Sequence, residues 1–175
     1  MYERTSKNTH LDTIWYEMDM LEFSYRDFMK KTSPPQSPYW NLLIEGFLLH
    51  YRNLIQFCSG NEERHKRYKG NDLSTFDPLP WAKRQLTNQE IDAIRVPGEK
   101  LDQTYSNRIS ILLQHCTVKR VEPLQGWEME QMYGEIAPIM STFAKSFPRG
   151  SDRVETRSDG SASSTATVVV YKGLS

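Results

Sequence analysis

An arginine and a histidine stand seven positions apart in the segment SNRISILLQHCTVKR, residues 106–120. Seven helical residues come to nearly two turns, so Arg108 and His115 share one helix face about 10 Å apart along the axis. A phosphate between them can contact both, because a guanidinium matches phosphate oxygens and an imidazole takes a proton near neutral pH. The pair suits metal-independent RNA cleavage, with His115 as general acid or base and Arg108 stabilising charge on phosphorus. The alternative is a packed structural histidine beside a solvent-facing arginine.

A second group of polar side chains interrupts the apolar segment YWNLLIEGFLLHYRNLIQFCSG. Glu45 and Arg52 fall close to one side of the predicted helix, and His50 and Asn53 fall on a neighbouring side. Since buried charge needs a partner, Glu45 and Arg52 either serve each other through a third group or water, or lie on a solvent-facing edge. A small-ligand site around Glu45, His50 and Tyr105 is a further alternative.

Apolar residues that recur at three- and four-residue steps predict the elements that position these side chains. Ser37 and Gly60 have the chemistry of an N-cap and a C-terminal stop, and Thr87 with Glu90 has capping-box spacing. The segment VPGEK, residues 96–100, is expected to break the pattern because proline lacks an N–H. The predicted helices run from the segment NTHLD to about Lys31, from Pro38 to Gly60, from Thr87 to Arg95, from Glu99 to Arg120, and from Trp127 to Phe147.

The fold class that follows is all-α, an antiparallel bundle of four long helices plus one short helix. Residues 1–147 are expected to form a single helical domain. Residues 148–175 have almost nothing to bury and are predicted to be a disordered, flexible polar tail. The segment TVVVYK is strand-like, so the tail could pair with a protein partner.

The composition of the chain argues against several classes of function. Lys plus Arg and Asp plus Glu both number 22, and this zero net charge argues against a strongly basic nucleic-acid surface. Without a long apolar run or a signal-like start, we expect a cytoplasmic protein with no membrane contact. The 4 histidines and 2 cysteines have no zinc-ligand spacing, so no metal or cofactor is predicted. Cys58 and Cys116 are expected to be buried small apolar groups.

Three segments, NLLIEGFLLHYRNLIQFC, WAKRQLTNQEIDAIR and ISILLQHCTVKR, resemble a group of small, mostly uncharacterised helical proteins. The shared pattern is a central helix ending in Arg-Asn, a loop that contains tryptophan, and a later helix with Leu-x-His-x-Thr. The resemblance covers about residues 38–120. The positions that carry it are Arg52, Asn53, Trp81, His115 and Thr117.

The layout is also similar to the HEPN superfamily, whose four- to five-helix bundles carry Arg, four to six residues, then His. Arg108 and His115 fit this motif at its longest gap. The resemblance implies a homodimer with facing motifs, RNA cleavage without metal, and Arg52 or Asn53 orienting His115. Active members often have a polar residue where Ile109 stands. Many members have lost catalysis, so the alternative is a non-catalytic dimeric helical module that binds a protein or nucleic-acid partner.

Overall fold

The computed structural model describes residues 8–32, 34–35, 37–60, 87–114 and 126–147, together with 155–156 and 162–163. This part of the chain confirms the all-α class. The strands Glu155–Thr156 and Ala162–Ser163, of two residues each, form an antiparallel pair in the tail, while TVVVYK lies outside the described residues. The helical elements are α1 (Asn8–Met29), α2 (Pro38–Ser59), α3 (Asn88–Leu101), a π-helical segment (Asp102–Ser106), α4 (Asn107–Gln114) and α5 (Met129–Ser146).

The two ends of α2 and the start of α3 lie where capping chemistry predicted them, whereas α1 begins at Asn8, before Thr9. The Ser37 side chain accepts the Trp40 N–H at 3.2 Å and begins α2, which ends at Gly60 in the left-handed region with φ 56°. Thr87 and Glu90 form the full capping box, with each side chain accepting the other residue's backbone N–H. These termini are settled by groups within a few residues of one another.

The predicted interruption at residues 96–100 is wrong. Pro97 and Gly98 lie inside α3, which continues through the π-helical segment into α4. The predicted short helix and the long helix after it are therefore one composite helix over residues 88–114. Gly98 allows α3 to pack closely on α2 at this point, because a Cβ there would lie 2.7 Å from Cys58 Cβ. The helix continues although Pro97 lacks a backbone donor.

Contacts between the helices show how the bundle is arranged. For α1 with α2, α2 with the composite helix, and the composite helix with α5, residue numbers rise on one helix as they fall on its neighbour, so these neighbours are antiparallel. No helix within the described ranges has both the length and the apolar character needed to cross a membrane. The contacts that order the bundle are Glu17–His50 and Asp27–Tyr39 for α1 with α2, Gln56–Ser106 and Ser59–Asp102 for α2 with the composite helix, Tyr105–Glu135 and Arg108–Trp127 for the composite helix with the start of α5, and Tyr25–Tyr133 for α1 with α5.

The core lies between α1, α2, the composite helix and α5, and all four contribute side chains to it. Each large apolar side chain that is fully buried contributes about 1.5–3 kcal/mol relative to exposure. Cys58 is buried among them, as expected, whereas Cys116 lies outside the described residues. Side chains with no more than 2% exposure include Leu21, Phe47, Tyr51, Ile55, Ile94, Ile109, Ile136 and Phe143.

Candidate functional site

Arg108 stands at the first turn of α4, directly after the π-helical segment. Its guanidinium carbon lies 3.9 Å from the centroid of the Trp127 ring, a cation–π contact. A guanidinium is planar, and its N–H donors point outwards in that plane. Because Arg108 is exposed, its side chain lies at a surface that a ligand can reach.

The Arg108 side chain lines a cleft of about 450 Å³ between the composite helix and the start of α5. We call this the Arg108 cleft; Tyr105, Gly126, Trp127, Glu128 and Met132 also line it. The Tyr105 hydroxyl donates to Glu135 Oε2 at 3.0 Å. Burial, followed by this hydrogen bond, raises the pKa of Tyr105, so its hydroxyl stays protonated at neutral pH. The cleft therefore combines a cation, two aromatic rings and a carboxylate.

Beneath Tyr105, Tyr51 is completely buried on α2. Its ring meets the Tyr105 ring edge-on, with 5.6 Å between the centroids. Burial raises the pKa of Tyr51, and within the described part of the chain its hydroxyl has no hydrogen-bond partner. The floor below the cleft is thus neutral and aromatic.

The other half of the predicted catalytic pair is His115, which lies outside the described residues, as does Thr117. The helix is described as far as Gln114. The pairing of Arg108 with His115, and the role of Thr117, stay predictions from the sequence. What the structure adds to that pair is the position of Arg108 in an open cleft.

Two of the predicted polar residues of α2 face α1 and share one partner. His50 Nδ1 lies 2.8 Å from Glu17 Oε2, and Asn53 Nδ2 donates to the same oxygen at 3.1 Å. His50 is only 6% exposed, so this cluster ties α1 to α2 in a partly buried position. Glu17 was missed by sequence reasoning, although a signal existed. It lies three residues after Ile14 and four before Leu21, on the apolar face predicted for α1.

Arg52 lies on a different side of α2. Gln56 donates to Ser106 Oγ at 3.0 Å and Ser59 donates to Asp102 Oδ2 at 3.2 Å, so this side faces the composite helix. Arg52 is one turn before Gln56 and shares that side, half-buried. The polar residues predicted on α2 therefore lie on two sides of the helix: His50 and Asn53 face α1, and Arg52 faces the composite helix.

The small-ligand alternative required Glu45, His50 and Tyr105 to surround one site. Glu45 is exposed, His50 is bonded to α1, and the Tyr105 hydroxyl is bonded to α5. The His50 and Tyr105 side chains therefore have partners on two different helices. The small-ligand alternative stays a prediction from the sequence.

A second surface feature is apolar. Tyr16 and Phe23 on α1 are 54% and 55% exposed, and Leu42 and Leu49 on α2 are 63% and 39% exposed. Each pair is spaced by seven residues and so lies on one side of its helix. The two stripes are adjacent, because the Tyr16 ring contacts His50, the residue next to Leu49, edge-on at 5.8 Å. We call these four side chains the outer face of the α1–α2 hairpin.

Comparison of the chain with protein-family models, with curated proteins and with solved structures finds no match in any of the three. The class that the structure defines is an all-α antiparallel bundle. The resemblance to the HEPN superfamily stays a prediction that rests on the sequence motifs.

Proposed function

We propose that this chain is a non-catalytic helical interaction module that forms a homodimer through the outer face of the α1–α2 hairpin. The observation that carries the proposal is the exposure of Tyr16, Phe23, Leu42 and Leu49 on two helices that pack side by side. Two aromatic rings and two leucines at these exposures present apolar area on the order of 400 Å². A patch of that size matches the largest apolar patch of a typical monomer, about 300–600 Å², and such patches are often functional.

The size of the patch fits a dimer of ordinary extent. A stable interface buries about 800 Å² on each partner, usually as an apolar centre inside a polar rim. The outer face supplies about half of that area. The polar side chains around it, which include Asp12 and Lys30, supply a rim that is exposed in the single chain.

Charge placement on α1 favours a second copy of this chain as the occupant. Asp12 lies one turn before Tyr16, and Lys30 lies two turns after Phe23, so the stripe is acidic at one end and basic at the other. A two-fold axis between Tyr16 and Phe23 sets two α1 helices antiparallel. Tyr16 then meets Phe23 of the second copy, and the residue level with Asp12 is Asp27 of that copy. Lys30, which pairs with Asp27 at 2.7 Å, lies three residues or about 4.5 Å further along, where it can bridge Asp27 and Asp12.

Sedimentation velocity tests this proposal with a matched pair of variants. Phe23→Glu places a charge in the centre of the outer face and should yield a monomer. Val96→Glu adds the same charge at an apolar residue on α3 that is 59% exposed, and it should leave the dimer intact. A wild-type chain that stays monomeric at the highest soluble concentration would overturn the proposal.

A charge exchange separates a two-fold dimer from other modes of association. Lys30→Glu should weaken the dimer, because it leaves Asp12 facing only carboxylates of the second copy. Adding Asp12→Lys to that variant places opposite charges together again and should recover much of the lost affinity. Further weakening in the double variant would contradict the antiparallel two-fold arrangement.

A second candidate function is the metal-independent endoribonuclease of HEPN type, and it is favoured by Arg108. An exposed guanidinium held against Trp127 in an open cleft is suited to a phosphate. In this candidate His115 exchanges the proton of the ribose 2′-hydroxyl, and Arg108 stabilises charge on phosphorus. Arg52, on the side of α2 that faces the composite helix, orients the site.

The ribonuclease candidate is tested with end-labelled RNA in EDTA, and 2′,3′-cyclic phosphate ends are the expected product. His115→Ala should lower the cleavage rate by about 10²–10⁴-fold, the usual contribution of general acid–base catalysis. His10→Ala is the matched control and should cleave like wild type. Cleavage that persists in His115→Ala would assign the activity to a contaminant or to other residues.

A further inference from the structure

Trp127 lines two clefts. One is the Arg108 cleft. The other, of about 590 Å³, lies between the end of α1 and the start of α5, and Phe28, Lys31 and Glu130 are among its lining residues. Trp127 and Glu128 line both clefts, so the two adjoin at these residues. We call the two together the Trp127 double cleft.

Each half of the double cleft contains one cation. Arg108 covers the Trp127 ring in the first cleft, and the exposed Lys31 lines the second. Lys31 has the left-handed φ of 52° just beyond the end of α1. Cations near an aromatic ring are the combination that proteins use for single-stranded nucleic acid, since bases stack on rings and phosphates bind cations.

The carboxylates in the double cleft define which base fits. Glu128 and Glu130 are both exposed and can only accept hydrogen bonds when ionised. Guanine has two neighbouring donors on its pairing edge, N1–H and N2–H, which match the two oxygens of one carboxylate. The other three bases place an acceptor beside each donor, so a carboxylate meets repulsion as well as attraction. The same carboxylates repel phosphate and favour a base edge at this position.

We propose that the Trp127 double cleft binds single-stranded RNA at an unpaired guanine. The guanine stacks against Trp127 in the larger cleft and donates to Glu128 or Glu130, while the neighbouring phosphates bind Lys31 and Arg108. The proposal goes beyond the dimer and is independent of the outer face. It gives the ribonuclease candidate a substrate class, but binding itself requires no cleavage.

Fluorescence anisotropy in EDTA tests the base preference on the full chain. The probes are labelled oligouridine, the same oligonucleotide with one central guanosine, and the same oligonucleotide with one central adenosine. The His115→Ala background prevents cleavage during the measurement. The guanosine probe should bind most tightly, and the Glu128→Gln and Glu130→Gln double variant should lose that preference.

Variants of the ring and the cations complete the test. Trp127→Ala should weaken binding about ten-fold or more, whereas Trp127→Phe keeps a stacking ring and should stay within a few-fold of wild type. Lys31→Met with Arg108→Met should weaken all probes and flatten their salt dependence. Lys145→Met, which removes an exposed cation from the last turn of α5, should have no effect.

Several results would overturn the assignment. Equal affinity for the three probes would refute the guanine site, and so would wild-type affinity in Trp127→Ala. If free GMP competes as well as the guanosine oligonucleotide, RNA is not the ligand. Guanosine-selective binding without cleavage by the wild-type chain supports this site and refutes the ribonuclease candidate. Cleavage without base preference supports the ribonuclease candidate and refutes the guanine site.

Discussion

The contact between α2 and α3 at Gly98 gives a sharp test of how the bundle is held together. In Gly98→Ala the new Cβ would lie 2.7 Å from Cys58 Cβ, 2.8 Å from the Cys58 carbonyl carbon and 3.0 Å from the Ser59 nitrogen. Comfortable carbon contacts are about 3.5–4.0 Å, and two of these three atoms are backbone that cannot rotate away. The helices must therefore separate by about 1 Å, which also strains the nearby Ser59–Asp102 hydrogen bond.

The expected free-energy change combines two opposing effects. Overpacking of a core costs about 1–3 kcal/mol, and a clash with backbone lies at the upper end of that range. Alanine recovers about 1 kcal/mol through its higher helix propensity. We expect Gly98→Ala to lower the free energy of unfolding by about 2 kcal/mol.

Gly134→Ala is the matched control for this effect. A Cβ at Gly134, inside α5, meets nothing within 4 Å, so only the propensity gain applies and stability should rise by up to about 1 kcal/mol. Urea unfolding followed by far-ultraviolet circular dichroism measures both variants. A Gly98→Ala protein at least as stable as wild type would refute the close-packed helix crossing.

Three further predictions follow from burial and capping. Burial raises the pKa of Cys58 to about 12, so the native thiol should resist iodoacetamide, as read by peptide mass spectrometry, and react once urea unfolds the chain. Because the folded pKa is above the unfolded value, this thiol's contribution to stability is complete below about pH 9 and is lost as the pH rises towards 12. Cys58→Ala should flatten that alkaline loss in urea titrations. Glu17→Gln should cost about 1–3 kcal/mol in the same assay, since it disrupts the partly buried cluster with His50 and Asn53, whereas exposed Glu45→Gln should stay within about 0.5 kcal/mol. Equal effects of the two would contradict the cluster. Thr87→Ala should cost about 1 kcal/mol through the lost cap, and an unchanged thermal midpoint would argue against it.

Helix ends were predictable because capping is local. The side chains of Ser37, Gly60 and the Thr87–Glu90 pair act on backbone groups within three or four residues, so their effect is visible in the sequence. The same local reasoning failed at Pro97 and Gly98. Those residues favour a break in an isolated helix, whereas in the bundle Gly98 packs closely against Cys58, forty positions away, and the helix is continuous.

The candidate sites, like the helix ends, were predictable from the sequence only in part. Sequence alone singled out Arg108, His50 and Asn53, because polar groups are conspicuous within apolar periodic segments. It did not identify Glu17 as the partner of His50, 33 positions away, or Trp127 as the ring beneath Arg108. The sequence shows the chemistry of each side chain, but the packing of the helices determines which distant side chains become its partners. The tertiary structure therefore decided which polar groups tie helices together and which are presented to a ligand.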